Sequence, residues 1–363
     1  MEPDQNFGVL NDLTMVDAGP SGEHIYTLTR TLEMPQGAVL CLGTTDDGQY
    51  LAVGGTGGIT LWNLQYEKVL ACPSGEGQRG ATTVLTWVRE TDEPMELLFF
   101  GTQNGHLVTW KQTILQGKVF EETQSLQICN PSEITCLDYD PSYNRLVAAN
   151  HCGSIVLFSV ESSLIPLSYI TIPDYLPKVI FFGQVSGSDA SRELLVLSLE
   201  GQIHVLRHHD RKMRKHKSLD VSGKIGNAAI TSAKDILGID DPSEGVALYR
   251  LQDGARVWTF PVPVRKSCRP RQVAFAEEGK VVVSGSDHGM VYVFDCRMGS
   301  KIDALRIDRE DWVQTLATVS LKEKPCILAA RSRELEKPAL IFIWEKGTKT
   351  STMTTILKPL TFG

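Results

Sequence analysis

The sequence predicts an all-β chain: a seven-bladed β-propeller with four antiparallel strands in each blade. Three observations predict it. The same short hairpin recurs, as GGTGGITLWN at Gly54–Asn63, GTQNGHLVTW at Gly101–Trp110 and GSDHGMVYVFD at Gly285–Asp295. The large residues that end these hairpins are Trp62, Trp110, Phe158, Leu206, Tyr249, Phe294 and Trp344, at steps of 48, 48, 48, 43, 45 and 50 residues. Repeats of about 40 to 50 residues built from short strands mark propeller blades. Finally, a glycine stands five residues before five of the marks (Gly57, Gly105, Gly153, Gly201, Gly289), and Gly245 stands four before Tyr249. Glycine supplies the positive φ that a tight corner between two strands needs.

Each element follows from that unit. A four-stranded sheet of alternating residues has two apolar faces, and only a neighbour on each side can cover both. The second unit shows the four strands in order: TTVLTWV (a), ELLFFG (b), HLVTW (c) and VFEETQSLQI (d). The sixth gives RQVAFA, KVVVSG, MVYVFD and KIDALRI. The blades are placed at 37–72, 81–129, 133–172, 177–219, 224–261, 270–307 and 312–344. The seventh supplies only a, b and c (VQTLATV, PCILAAR, ALIFIW). Its fourth strand is either IYTLTRTL at Ile25–Leu32 or TMTTILK at Thr352–Lys358. The first is preferred, because it directly precedes the first innermost strand. A ring closed by both chain ends leaves no break between first and last blades. The chain thus divides into a mobile arm over 1–23, a propeller over 24–345, and a tail or closing strand over 346–363.

Composition narrows the class. Apolar residues make up 42% and charged residues 22% of the 363, a globular balance. The net charge of −7 argues against a general nucleic-acid binder. Eight cysteines are scattered without a CxxC, several inside apolar runs such as VLCLG and ITCLD. They read as reduced thiols of an intracellular protein, cytoplasmic or nuclear. The N-terminus lacks the basic and apolar regions of a secretory signal, and no apolar run is long enough to span a membrane.

At LWN (Leu61–Asn63), TWK (Thr109–Lys111), VFD (Val293–Asp295) and IWE (Ile343–Glu345), together with the corner glycines and the turn DDGQYLAVGG, the chain resembles the WD40-repeat family in degenerate form. The run from SYITIPDYLPKVIFF through DHGMVYVFD is also similar to WD40-like proteins of mushroom-forming fungi. The departures are definite. The Gly-His usually found before strand a is missing from every blade, and the Trp-Asp pair is never complete. Ser284 and Asp287 stand where two members of the family's buried Ser-His-Asp-Trp tether would be, with no His expected beside them. The blades are therefore expected to be held mainly by apolar packing.

The resemblance implies a non-enzymatic scaffold for protein partners, without a cofactor, working as a monomer within a complex. Its partners would dock on the top face, made by the d–a and b–c loops and the channel mouth. On the d–a loops the candidates are Tyr175 and Lys178 (IPDYLPK), Arg269 and Arg271 (VRKSCRPRQ), and Trp312 and Gln314 (DREDWVQ). Tyr, Trp and Arg are the side chains most often found as interface anchors. Among the b–c corners His288 is the candidate. His106, His151 and His288 lie at similar blade positions, but on blades too far apart to share a metal.

Two alternatives belong to other classes. A propeller hydrolase would place a metal at the channel mouth, and GIDDPSEG gathers Asp240, Asp241 and Glu244 on one corner. No GxSxG, HExxH or P-loop is present. The other is a binder of nucleic acid or an acidic partner through RHHDRKMRKHK at Arg207–Lys217, with Arg211, Lys212, Arg214 and Lys215 as contacts. That run falls on the c–d hairpin of the fourth blade, toward the bottom face, and contains no aromatic for base stacking.

Overall fold

The computed structural model describes residues 24–34, 37–73, 79–89, 95–113, 119–128, 132–186, 191–209, 212–221, 223–265, 267–307, 312–331 and 339–347. The arm over 1–23 and the alternative closing strand Thr352–Lys358 lie outside them. The chain forms seven four-stranded antiparallel sheets. Blade 1 is β2–β5 (Val39–Thr44, Tyr50–Gly55, Gly58–Asn63, Lys68–Leu70) and blade 2 is β6–β9 (Thr82–Arg89, Glu96–Thr102, His106–Gln112, Phe120–Gln127). Blade 3 is β10–β13 (Ile134–Asp140, Arg145–Asn150, Ser154–Val160, Leu164–Thr171) and blade 4 is β14–β17 (Pro177–Ser186, Ser191–Ser198, Gln202–His209, Lys212–Asp220). Blade 5 is β18–β21 (Asn227–Ile230, Ile236–Asp241, Gly245–Arg250, Arg256–Pro261). Blade 6 is β22–β25 (Val273–Ala276, Val281–Ser284, Met290–Asp295, Ser300–Arg306).

Blade 7 takes β26–β28 (Thr315–Leu321, Lys324–Ala330, Leu340–Lys346) from the end of the ring and β1 (Tyr26–Glu33) from its start. β1 pairs antiparallel with β28, from Tyr26 opposite Lys346 to Glu33 opposite Leu340. The N-terminal strand therefore closes the circle.

Packing explains why the ring forms. The buried apolar residues fall into seven clusters, one at each seam between neighbouring blades. Val39, Leu51 and Trp62 meet Leu32, Leu328, Ile341 and Ile343 where blade 1 joins blade 7. Val246, Leu248 and Phe260 meet Val282, Tyr292 and Phe294 between blades 5 and 6. Each fully buried side chain of this size contributes about 1.5–3 kcal/mol. None of that burial is available to a sheet on its own.

The corner glycines sit in the left-handed region at Gly105, Gly153, Gly201, Gly245 and Gly289. In blade 1 the residue with positive φ is Gly58 (+89°), not Gly57, a one-residue shift from the sequence reading. Gly153 needs its freedom twice over. Its φ is +78°, and a Cβ there would lie 2.2 Å from the carbonyl oxygen of Ile172.

Apolar packing fills every seam, as expected from the sequence, and polar links that the sequence did not announce add to it. Every seam also carries a polar link. Trp87 Nε1 donates to Gly43 O at 3.0 Å (blades 1 and 2), and Thr83 Oγ1 donates to Ile134 O at 2.6 Å (2 and 3). Phe182 N donates to Asp138 Oδ2 at 2.6 Å (3 and 4), and Lys234 Nζ donates to Phe182 O (4 and 5). Arg271 pairs with Asp240 (5 and 6), and Thr318 Oγ1 donates to Phe275 O at 2.7 Å (6 and 7). Arg30 Nη1 donates to Leu64 O at 3.0 Å where the ring closes.

Candidate functional site

Strand a of each blade starts at the top of the ring, and the seven starts surround a channel mouth. A cavity of about 190 Å³ lies there, with lining residues from all seven blades. Blade 1 supplies the apolar Leu40. The others supply Thr83, Glu133, Lys178, Asn227, Gln272 and Gln314. The amide oxygens of Asn227 and Gln272 accept from the next blade's strand a, at Val273 N (3.3 Å) and Leu316 N (3.0 Å). Among the described residues the mouth is thus a largely polar ring that carries Glu133 and Lys178 on adjacent blades, with Arg271 already paired to Asp240. Two of the predicted top-face residues, Lys178 and Gln314, stand half-buried in it.

Beside the mouth, Arg269 and Trp312 come together from successive d–a loops. The exposed Arg269 guanidinium lies over the half-buried Trp312 ring, 4.8 Å from its centroid. Such a stack contributes about 0.5–1 kcal/mol at an exposed site and favours this arrangement of the two side chains. The shielded Trp312 Nε1–H meets no acceptor among the described residues.

The stretch GSDHG at Gly285–Gly289 builds this pair, a role the sequence reading missed. Asp287 Oδ2 accepts from Arg265 N at 3.0 Å and Ser267 N at 2.8 Å, which pins the loop leading to Arg269. Ser286 O accepts from Val313 N at 2.8 Å, which pins the residue after Trp312. His288 then braces the aspartate. Its Nδ1 lies 2.7 Å from Asp287 Oδ1 and its Nε2 lies 2.8 Å from Tyr292 OH. A histidine therefore does accompany Asp287, from the neighbouring position and not from the start of strand a. Ser284 stands outside this hydrogen-bond network; its Oγ donates to Gly285 O.

Three of the predicted anchors are buried, which corrects their reading as presented side chains. Tyr175 is 4% exposed, stacks on His204 and donates through its hydroxyl to Val196 O at 2.6 Å. His288 is 3% exposed, in the network just described. Arg271 is 2% exposed, with its N and Nε each 2.8 Å from a different oxygen of Asp240, and its Nη2 2.6 Å from Asp241 O. Loop position, with residue type for Tyr175 and Arg271, marked them as anchors, but each already has an internal partner.

That ion pair also accounts for the acidic corner. Burial pushes the Asp240 carboxyl up, and the Arg271 guanidinium pulls it back through its charge and hydrogen bonds. Asp241 caps its own turn, accepting from Ser243 N at 2.8 Å and Ser243 Oγ at 2.6 Å. Glu244 pairs at the surface with Arg256 at 3.2 Å. Of the corner histidines, His106 is half-buried and His151 exposed, each on its own blade. Among the described residues no three His, Cys, Asp or Glu side chains gather as a metal cage. Burial pushes the thiols of Cys41, Cys136 and Cys296 up to about 12, so they stay neutral.

The basic run falls on β16 and β17, the outer pair of strands of blade 4. Lys212, Arg214 and Lys215 are exposed; Arg211 lies outside the described residues. Arg207 pairs with Glu193 at 2.7 Å within the blade.

The family model described as WD domain, G-beta repeat matches residues 26–63. Those residues are β1 together with strands a, b and c of blade 1, the stretch that closes the ring. No curated protein matches the chain.

Proposed function

We propose that this degenerate WD40-repeat propeller is a binding platform for a protein partner, which docks on the top face over the channel mouth. The propeller of this family generally mediates protein interactions, and binding, with no chemistry of its own, is the role adopted for this chain. The Arg269–Trp312 stack at the rim carries the reading. An arginine fixed on an indole, on loops tied to a rigid corner, has the composition and order of an interface anchor. Its fixed geometry lowers the entropy lost on docking. The unmet Trp312 Nε1–H adds a specific demand, since a shielded donor without an acceptor costs about 1–3 kcal/mol. A partner carbonyl reaching beneath Arg269 would recover that cost. Lys178 and Glu133 then read what enters the mouth.

Affinity capture with mass spectrometry, run on the wild type and on a Trp312→Ala/Arg269→Ala variant, tests this. A partner retained by the wild type and lost from the variant supports the platform. An unchanged partner set removes this face from the account.

A further inference from the structure

β17, the outer strand of blade 4, differs from the other outer strands. It is the longest, at nine residues, and eight of the nine are exposed. From Arg214 to Asp220 seven consecutive residues are exposed. A strand with one covered face alternates between buried and exposed. Seven in succession means that both faces are bare. By contrast, β9 alternates exposed with half-buried residues along most of its length, and β21 ends in Pro261. β17 is also the last strand of its sheet, so no described strand pairs with its outer side. It contains no proline to interrupt a ladder.

Its charge is as distinctive as its exposure. Lys212, Arg214, Lys215 and Lys217 are exposed and form no ion pair among the described residues. The register slips between Val205 and Leu206, leaving His216 as an extra residue. Cations before and after the slip therefore project from both faces. The run from Arg207 to Lys217 holds six Lys or Arg and one Asp, a net of +5; taken from the chain total of −7, this leaves the remainder at −12.

We propose that β17 is a second docking site, at which an acidic, extended segment of a partner protein adds to blade 4 as a fifth strand. The open edge supplies main-chain hydrogen bonds, the usual source of affinity when a peptide extends a sheet. The cations on both faces supply the choice of partner. Lysines along an edge make two copies repel, which prevents self-pairing. The same lysines attract a strand bearing Asp or Glu. An extended polyanion such as RNA or an anionic membrane would also meet the acidic remainder of the surface, whereas a short strand meets only the basic one. The site is separate from the top face and does not rest on the proposal made for it.

The probe is a labelled peptide of alternating Glu and Val or Thr, followed by fluorescence anisotropy on the full chain. Binding is expected to weaken by about ten-fold or more on raising salt. A similar loss is expected in Lys215→Glu/Lys217→Glu, with affinity unchanged in Trp312→Ala/Arg269→Ala. A peptide N-methylated on the residues that face β17 should fail to bind, because methylation removes the ladder donors but leaves the charge. Amide exchange on the wild type gives a readout that needs no variant: the peptide should slow exchange within 212–220. Equal binding of the N-methylated peptide would overturn the proposal. So would binding of single-stranded RNA or phosphatidylserine vesicles in its place, or protection confined to other strands.

Discussion

The seam between blades 5 and 6 and the outer strand of blade 4 use charge in opposite ways. At the seam, Arg271 and Asp240 are both removed from water and answer each other through several hydrogen bonds. On β17, at least four cations stand in solvent without an ion-pair partner among the described residues. Both regions belong to the same repeating unit, so the unit does not dictate the use. Depth does. A charge buried between two blades must be paired, and the pairing joins them. At the rim it can remain unpaired, and the field it sets up is available to another molecule.

The largest effect should come from the seam. Asp240→Asn leaves Arg271 buried opposite a neutral group, and breaking a buried pair in this way costs about 3–5 kcal/mol. Chemical denaturation reads that loss. A change below about 1 kcal/mol would show that the pair adds nothing to packing. The rim pair comes next. Trp312→Ala should weaken the top-face partner by about 2 kcal/mol or more, and Asp287→Ala should weaken it by less, through the loosened Arg265–Ser267 loop. Titration calorimetry with the captured partner ranks the two, and the reverse order would contradict the bracing role of Asp287.

A smaller effect is expected between blades 1 and 2. Glu96 is buried beside Asp47, and desolvation first, then that neighbour, push its carboxyl from 4.5 up to about 7. The folded chain therefore holds a proton that the unfolded chain has released between these values. Stability from this group is highest at low pH and falls as pH rises through that window. Glu96→Gln should accordingly be more stable than the wild type above pH 7, and close to it near pH 4.5. Thermal melts across pH check this. The smallest effect belongs to β17: Lys215→Glu/Lys217→Glu should shift stability by no more than about 0.5 kcal/mol. A large loss there would mean that these cations serve the fold.

The propeller was legible because its signals are local. A glycine, an alternating strand and a large final residue recur within a dozen positions, and the choice of IYTLTRTL as closing strand needed only its place ahead of β2. The seam links were not legible. Asp240 and Arg271 are 31 residues apart, and Thr83 and Ile134 are 51 apart. Nothing at either position announces the other. The same blindness affected the site. Arg269 and Arg271 are two residues apart on one loop and of one type, yet one lies over Trp312 and the other is buried against Asp240. His288 went unread as a brace because the expected histidine was sought before strand a. Its adjacency to Asp287 was the signal that could have found it.

Hydrogen exchange with mass spectrometry puts both regions in one experiment. The account predicts that amides of β19 and β22, at the Asp240–Arg271 seam, exchange only with global unfolding. Those of 212–220 should exchange early and slow when the acidic peptide is added. Equal protection of the two segments without peptide, or peptide-induced protection at the seam but not on β17, would contradict it.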